Sequence, residues 1–258
     1  MRHTPRKRFG QNFLTDTQVI ANIVRAINPQ PQDKLVEIGP GLGALTKPLL
    51  QIVDHLDVVE LDRDIVKRLE QTFDPKKITI YSSDALKFDF ASVGSNLRVV
   101  GNLPYNISTP ILFHLSTFAT NIKDMHFMLQ KEVVERMVAA PSTSEYGRLT
   151  VMLQYRFDME LVFIVPPESF EPIPKVESAI VRMHPIKELV QVADDEKLLS
   201  QVVISAFSQR RKTLRNTLRS YLNPEDFEAL EIDPGLRAEN LSVTKFVSVA
   251  NYLAKKTH

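Results

Sequence analysis

The sequence predicts an α/β protein, built on a mostly parallel sheet with an antiparallel edge and followed by a small C-terminal helical domain. Three observations carry that prediction. Between Lys34 and Gln130, short β-branched and apolar runs alternate with amphipathic helical ones. After a polar break at 141–147, two strand-like runs are separated by prolines. Beyond Pro185, no run reads as a strand.

The elements follow in order. Val19, Ile20, Ile23, Val24 and Ile27 fall on one face of a helix over 16–27, with Thr15 and Gln18 spaced as a capping box. A strand at 34–38 leads through a glycine loop into a helix at 44–53. Strand 56–61 precedes helix 64–73, and strand 78–82 precedes a short loop. Strand 97–101 precedes helix 109–118, and strand 125–130 runs into helix 131–140. A helix over 148–157 then precedes strands at 160–165 and 178–183, which would close the sheet as a hairpin-like edge. Pro166, Pro167, Pro172 and Pro174 cannot donate to a central ladder, so they predict a rigid loop between these strands. Helices follow at 197–221, 224–230 and 242–255, the last with Ser242 as N-cap. A boundary near the polar stretch 193–196 separates a first domain, residues 1–190, from a helical one, residues 191–258.

Composition narrows the chemistry. The 258 residues contain no Cys, which excludes disulfides, thiolate zinc sites and a thiol nucleophile. The six His residues lack ligand spacing, so no bound metal is expected. No apolar run reaches membrane-span length and the N-terminus lacks a signal core, which predicts a cytoplasmic protein. Net charge is only +1, but its distribution is uneven. Arg2, Arg6, Lys7 and Arg8 precede the first acid, Asp16. No acid interrupts the window between Glu196 and Glu225, which holds Lys197, Arg210, Arg211, Lys212, Arg215 and Arg219. Arg211, Arg215 and Arg219 form one helical stripe beside Leu214 and Leu218, a basic face that is either simply solvated or built for phosphates.

Three strand ends carry nucleoside-type groups. Glu37-Ile38-Gly39-Pro40-Gly41-Leu42-Gly43 places glycines between strand and helix, where backbone can approach a ligand at the carboxyl edge of a sheet. The spacing is not that of a dinucleotide site, and no Lys of a phosphate-gripping type follows, which argues against ATP or GTP. Glu60 ends the second strand where a ribose-binding carboxylate belongs; the alternative is a solvated strand end. Asp84 follows the third strand, suited either to an adenine amino group or to capping its own turn. Together these point to an adenosine-bearing cofactor.

The fourth strand ends in Asn102-Leu103-Pro104-Tyr105. An Asn carbonyl accepts from an amine, proline holds the local carbonyls, and Tyr offers a face for a base. The alternative is a proline turn with a packed Tyr. Phe170, placed on the proline loop, either packs in the core or forms the opposite wall of a base clamp.

With Gln11-Asn12-Phe13-Leu14, Gln130-Lys131-Glu132-Val133 and Phe170-x-Pro172-x-Pro174-Lys175-Val176, these motifs resemble the ribosomal RNA adenine dimethyltransferase family over nearly the whole chain. The resemblance implies a Rossmann-like methyltransferase sheet and S-adenosylmethionine as cofactor, held by Asn12, Leu14, Gly39, Gly41, Glu60, Asp84 and Asn102. It implies a catalytic set of Asn102, Leu103, Pro104, Tyr105 and Phe170. The RNA would be gripped by Arg6, Lys7, Arg8, Arg210, Arg211, Lys212, Arg215 and Arg219. The expected substrate is a pair of adjacent adenosines in a hairpin loop near the 3′ end of 16S rRNA, in an assembling small ribosomal subunit. A monomer without membrane partners is expected. Alternatives are a large-subunit rRNA adenine methyltransferase and a noncatalytic nucleic-acid-binding or assembly factor on the same fold. A dehydrogenase is disfavoured by the glycine spacing, and a DNA adenine methylase by the lack of a Pro-Pro-Tyr turn.

Overall fold

A computed structural model describes residues 12–256, so the expectations for Arg6, Lys7, Arg8 and Gln11 lie outside the described residues. The chain forms two compact units. The first comprises the described residues up to 134 together with 158–185. Its elements are β1 (Phe13–Leu14), α1 (Thr17–Ile27), β2 (Leu35–Ile38), α2 (Thr46–Leu49), β3 (Leu56–Glu60), α3 (Arg63–Thr72) and β4 (Ile78–Ser82). They continue with β5 (Leu97–Asn102), α4 (Ser108–Ser116), β6 (Ile122–Gln130) and the start of α5 (Lys131–Val138). After α6 (Arg148–Gln154) of the second unit come β7 (Phe157–Val165), β8 (Phe170–Glu171) and β9 (Ser178–Pro185).

The seven-stranded sheet has the order β4-β3-β2-β5-β6-β9-β7. The pairs from β4 to β6 are parallel, and β9 joins β6 antiparallel. All four residues of β2 are buried, as expected of a strand covered on both faces. The mostly parallel architecture with an antiparallel strand is the predicted one. β7 and β9 lie side by side at that edge, with β9 against β6 and β7 outermost. The order of β2 and its neighbours makes the site: chain runs to opposite sides from β2, through β3 and through β5, leaving a crevice at the carboxyl ends.

At the opposite end of the strands, Arg98 is buried among fixed partners. Its Nε donates to both Asp124 carboxylate oxygens at 3.0 Å, Nη1 to Asp33 at 2.6 Å and Nη2 to the Ile27 carbonyl at 2.5 Å. A buried guanidinium is tolerated because every side of it meets an acceptor. It ties the end of α1 to β5 and β6.

Local differences have local causes. Asp16, not Thr15, caps α1, its Oδ1 accepting from the Gln18 and Val19 amides at 2.8 and 3.1 Å. Helix 44–53 contracts to α2; Pro48 has no amide to give the ladder. The proline loop contains a strand that its composition hid, β8, which pairs antiparallel with β1.

The second unit comprises 135–157 and the described residues from 186 onward. It adds α7 (Glu196–Ala206), α8 (Leu214–Thr217), α9 (Pro224–Ala229) and α10 (Val243–Lys256). Tyr146, Val151 and Tyr155 share one buried cluster with Leu199, Val203 and Phe246. That cluster draws 135–157 into the helical unit, so the division at 190/191 is corrected: the unit is assembled from two separated pieces of chain. The Ser242 hydroxyl accepts from the Lys245 amide at 3.3 Å, the expected cap of α10.

The continuous helix over 197–221 does not form. α7 ends at Ala206, a turn follows, and extended backbone at Thr213 (φ −75°, ψ 162°) starts α8 afresh. The single helical stripe of Arg211, Arg215 and Arg219 is therefore corrected: Arg211 sits on the turn, Arg215 on α8 and Arg219 beyond it. Arg210, Arg211, Lys212, Arg215 and Arg219 are all exposed, while Leu214 and Leu218 are buried.

Candidate active site

The carboxyl ends of β2, β3, β4 and β5 surround a cleft of about 530 Å³. Asn12, Leu14, Gly39, Gly41, Glu60, Asp84, Asn102, Leu103, Pro104 and Tyr105 all line it. Residues far apart in sequence thus meet in one crevice, which parallel strands do by delivering successive loops to the same edge.

Gly41 adopts φ +56°, a backbone conformation that side chains rarely take. A Cβ there would also stand 3.2 Å from the Phe13 ring, which β1 brings across the turn. The turn is held from the adjacent strand, the Gly39 amide donating to the Val59 carbonyl at 2.9 Å.

Glu60 is only 8 % exposed, so the solvated strand-end alternative is not realised. Burial raises its pKa, opposed by the Asp62, Leu61 and Gly41 amides and reinforced by the charge of Asp62. Asp84 caps its own turn, one oxygen accepting from the Leu86 amide at 3.0 Å, and it also lines the cleft.

Glu37, which the sequence marks only as part of the first strand's end, is buried in the same cleft. Its Oε2 accepts from the Thr46 hydroxyl at 2.6 Å. Burial pushes its pKa up to about 7; the Thr46 bond opposes that rise and the neighbouring Glu60 charge adds to it. The signal available in the sequence is a carboxylate two residues before a glycine turn.

The Asn102 amide is oriented by donation from Nδ2 to the Asn12 carbonyl at 3.1 Å, leaving Oδ1 as its acceptor. The Leu103 amide donates to Met128 O at 3.2 Å, and the Pro104 carbonyl already accepts from Ile107 at 3.2 Å. The Leu103 carbonyl is therefore the stronger candidate for a second acceptor. Tyr105 is half-buried, with its hydroxyl 2.6 Å from Ser178 Oγ on β9. Burial raises its pKa and the Ser178 contact lowers it.

Phe170 departs from expectation. It is 2 % exposed, packed with Leu14, Met128, Val165 and Ile180, and does not line the cleft. Its pairing with Leu14 through β8 turns the ring inward, so the exposed clamp wall is corrected to a core residue under β1. Among the described residues, no group of three or more His, Asp or Glu is arranged to hold a metal ion, and no helix is long and apolar enough to cross a membrane.

A mostly parallel sheet with this antiparallel strand, a glycine turn beside a buried strand-end carboxylate, and an Asn-Leu-Pro-Tyr turn lining the same cleft are the architecture of a methyltransferase with a nucleoside cofactor. The family model described as ribosomal RNA adenine dimethylase matches residues 2–255. A curated relative from Nitrosospira multiformis, named ribosomal RNA small subunit methyltransferase A, is 65 % identical over 98 % of this chain and 97 % of its own. The crystal structure of a dimethyladenosine transferase from Plasmodium falciparum is similar with a TM-score of 0.80 at 25 % identity, covering 95 % of this chain and 98 % of that one. The crystal structure of the 23S rRNA methyltransferase ErmE shares the fold, with a TM-score of 0.70 at 24 % identity over 94 % of this chain and 100 % of that one. The chain belongs to the ribosomal RNA adenine dimethylase family. It is an S-adenosylmethionine-dependent rRNA adenine dimethyltransferase.

Proposed function

We propose that the enzyme dimethylates the 6-amino groups of two adjacent adenosines in a hairpin loop near the 3′ end of 16S rRNA, within the assembling small ribosomal subunit. It acts as a cytoplasmic monomer in ribosome biogenesis. The observation that carries this reading is the meeting, in one acid-lined cleft, of the amine-accepting turn and the nucleoside-type strand ends. The 65 % identity to a relative named for the small subunit, against 24 % to ErmE, supports the small over the large subunit.

The cleft fits the cofactor chemically. Its charged lining among the described residues is Glu37, Glu60, Asp62 and Asp84, with no Lys or Arg, which suits a ligand bearing a sulfonium and an ammonium. Asn12, Leu14 and the Gly39–Gly41 backbone would cradle it, with Glu60 for the ribose, Asp84 for the adenine amine and Asn102 at the methyl-bearing end. When bound, S-adenosylmethionine supplies an already activated methyl carbon.

An adenine amine is a weak nucleophile because its lone pair is delocalised into the ring. Asn102 Oδ1 and the Leu103 carbonyl accept its two N–H groups, which favours a pyramidal nitrogen and localises that pair. Tyr105 supports the base face. Held so, the nitrogen would present its lone pair to the methyl carbon that the bound cofactor would supply, and the N–H proton it loses would pass to water. For the second transfer a single N–H remains, and one acceptor suffices. Catalysis comes mainly from positioning, and no thiol is required. An adenosine in a loop costs less to extrude than a paired one. Arg210, Arg211, Lys212, Arg215 and Arg219 are the proposed contacts to RNA phosphates in the second unit.

The test is transfer of labelled methyl to undermethylated small subunits beside naked rRNA, large subunits and DNA. Label in dimethyladenosine of the small subunit is expected. Equal or greater labelling of large subunits would overturn the substrate assignment.

A further inference from the structure

Glu37 enters the reading above only as one of the acids lining the cleft, yet it is the most deeply buried carboxylate there, at 2 % exposure. Within the sheet it lies in register with Val58 on one side and Val100 on the other, so neither flanking strand sets a charge beside it there. From α2, Thr46 donates to it at 2.6 Å. From the end of β3 it feels Glu60, itself next to Asp62, and Asp84 lines the same cleft from the turn after β4. Every charged group facing it across the cleft, among the described residues, is thus acidic. A carboxyl in that position resists ionising until a cation arrives.

The product of methyl transfer, S-adenosylhomocysteine, keeps the ammonium and carboxylate of the cofactor and differs by one methyl group and one positive charge. We propose that Glu37 reads that charge: it is partly protonated in the free enzyme, releases its proton when the sulfonium form binds, and keeps it when the neutral thioether binds. The inference rests on the cofactor assignment. The released proton goes to solvent, and no bond other than O–H breaks. The consequence is discrimination between cofactor and spent product, with product held less tightly because the cleft's acids then lack a compensating charge.

Burial has already brought Glu37 to about 7, so the linkage falls at neutral pH. The sign follows: above that pH the carboxylate is ionised beforehand and cofactor binding is favoured. If the cation makes the carboxyl about tenfold more acidic, cofactor affinity rises roughly fivefold between pH 6 and pH 8. Affinity for S-adenosylhomocysteine stays nearly flat.

The experiment is isothermal titration calorimetry of the full chain with each ligand, at pH 7 in buffers of different ionisation enthalpy. Release of about half a proton is expected with S-adenosylmethionine and close to none with S-adenosylhomocysteine. Glu37→Gln keeps an acceptor for Thr46, and should abolish the release and shrink the preference for the charged ligand. Thr46→Val removes the donor that favours the carboxylate, and should move the release to higher pH. If Glu37→Gln does not fold, the wild-type comparison of the two ligands decides alone. Equal release with both ligands, or none with either, overturns the proposal and leaves the cofactor assignment intact. Failure of S-adenosylmethionine to bind at all overturns both.

Discussion

The Tyr105 hydroxyl lies 2.6 Å from Ser178 Oγ, joining the turn after β5 to the first residue of antiparallel β9. Ser178 is fully buried, and Lys131 N–H donates to the carbonyl of the preceding Glu177 at 3.0 Å. The ring proposed to support the target base is therefore held by a strand that plays no part in the proposed cofactor contacts. Ser178→Ala should weaken RNA use by about 0.5–1.5 kcal/mol, the usual worth of one hydrogen bond, and leave cofactor affinity unchanged. Tyr105→Ala should cost about 1–3 kcal/mol, the range for base stacking. Steady-state methylation with varied RNA, alongside calorimetric cofactor binding, separates the two effects.

Asn102 contributes an acceptor whose orientation is set by its bond to Asn12 O. Asn102→Ala should lower methyl transfer about 10²–10³-fold, comparable to removing one preorganised hydrogen-bonding group at a reacting centre. Cofactor binding should be weaker but measurable. Single-turnover transfer and direct titration of the cofactor measure these separately, and full activity would remove Asn102 from the mechanism.

Gly101 is required by packing. A Cβ there would stand 2.4 Å from the Ile38 carbonyl, a main-chain atom of the adjacent strand. Gly101→Ala must push β5 from β2 beneath the cleft, at a cost of about 1–3 kcal/mol. Thermal unfolding should show the destabilisation, and cofactor titration should show reduced affinity.

His126 on β6 supplies a pH dependence of folding. It is 4 % exposed, and its Nε2 accepts from Arg182 Nε at 3.2 Å. Burial pulls its pKa down to about 4; Asp124 opposes that, while Arg182, Arg98 and His184 reinforce it. The unfolded chain takes up this proton near pH 6.5 and the folded one only near 4. The neutral ring's contribution is thus complete above about 6.5 and is lost as pH falls towards 4, a swing of about 3 kcal/mol. Urea unfolding between about pH 4 and 7.5 should show this slope, and His126→Gln should flatten it.

Arg211 and Arg215 are exposed on the turn and short helix following α7. Reversing both charges should weaken RNA association and lower the slope of log affinity against log salt by about one for each phosphate no longer neutralised. An unchanged slope would remove them from the interface.

The alternation of strand and helix made the sheet and its parallel character legible, because a parallel strand covered on both faces is largely apolar along its length. Gly39, Glu60, Asp84 and Asn102 were legible for a related reason: each stands at the carboxyl end of a strand or on the turn after it, and strand ends can be located from composition, whereas Asn12 and Leu14 followed only from the family resemblance. The orientation of Phe170 was not legible, because prolines mark a loop without telling which way a ring within it points. Nor was the length of the helix beginning near 197: α7 ends at Ala206 and extended backbone at Thr213 starts α8 afresh, breaks that no periodicity records.

Local pattern, then, determined the strands, the glycine turn and the Asn-Leu-Pro-Tyr acceptor, since each depends on neighbours within a few residues. Only the tertiary structure decided that β9 slips between β6 and β7, that 135–157 joins the helical unit, that Phe170 supports β1 from within, and that Glu37 is sealed among acids. Those outcomes depend on contacts between distant segments and on desolvation, and both are properties of the folded environment rather than of the residue or its sequence neighbours.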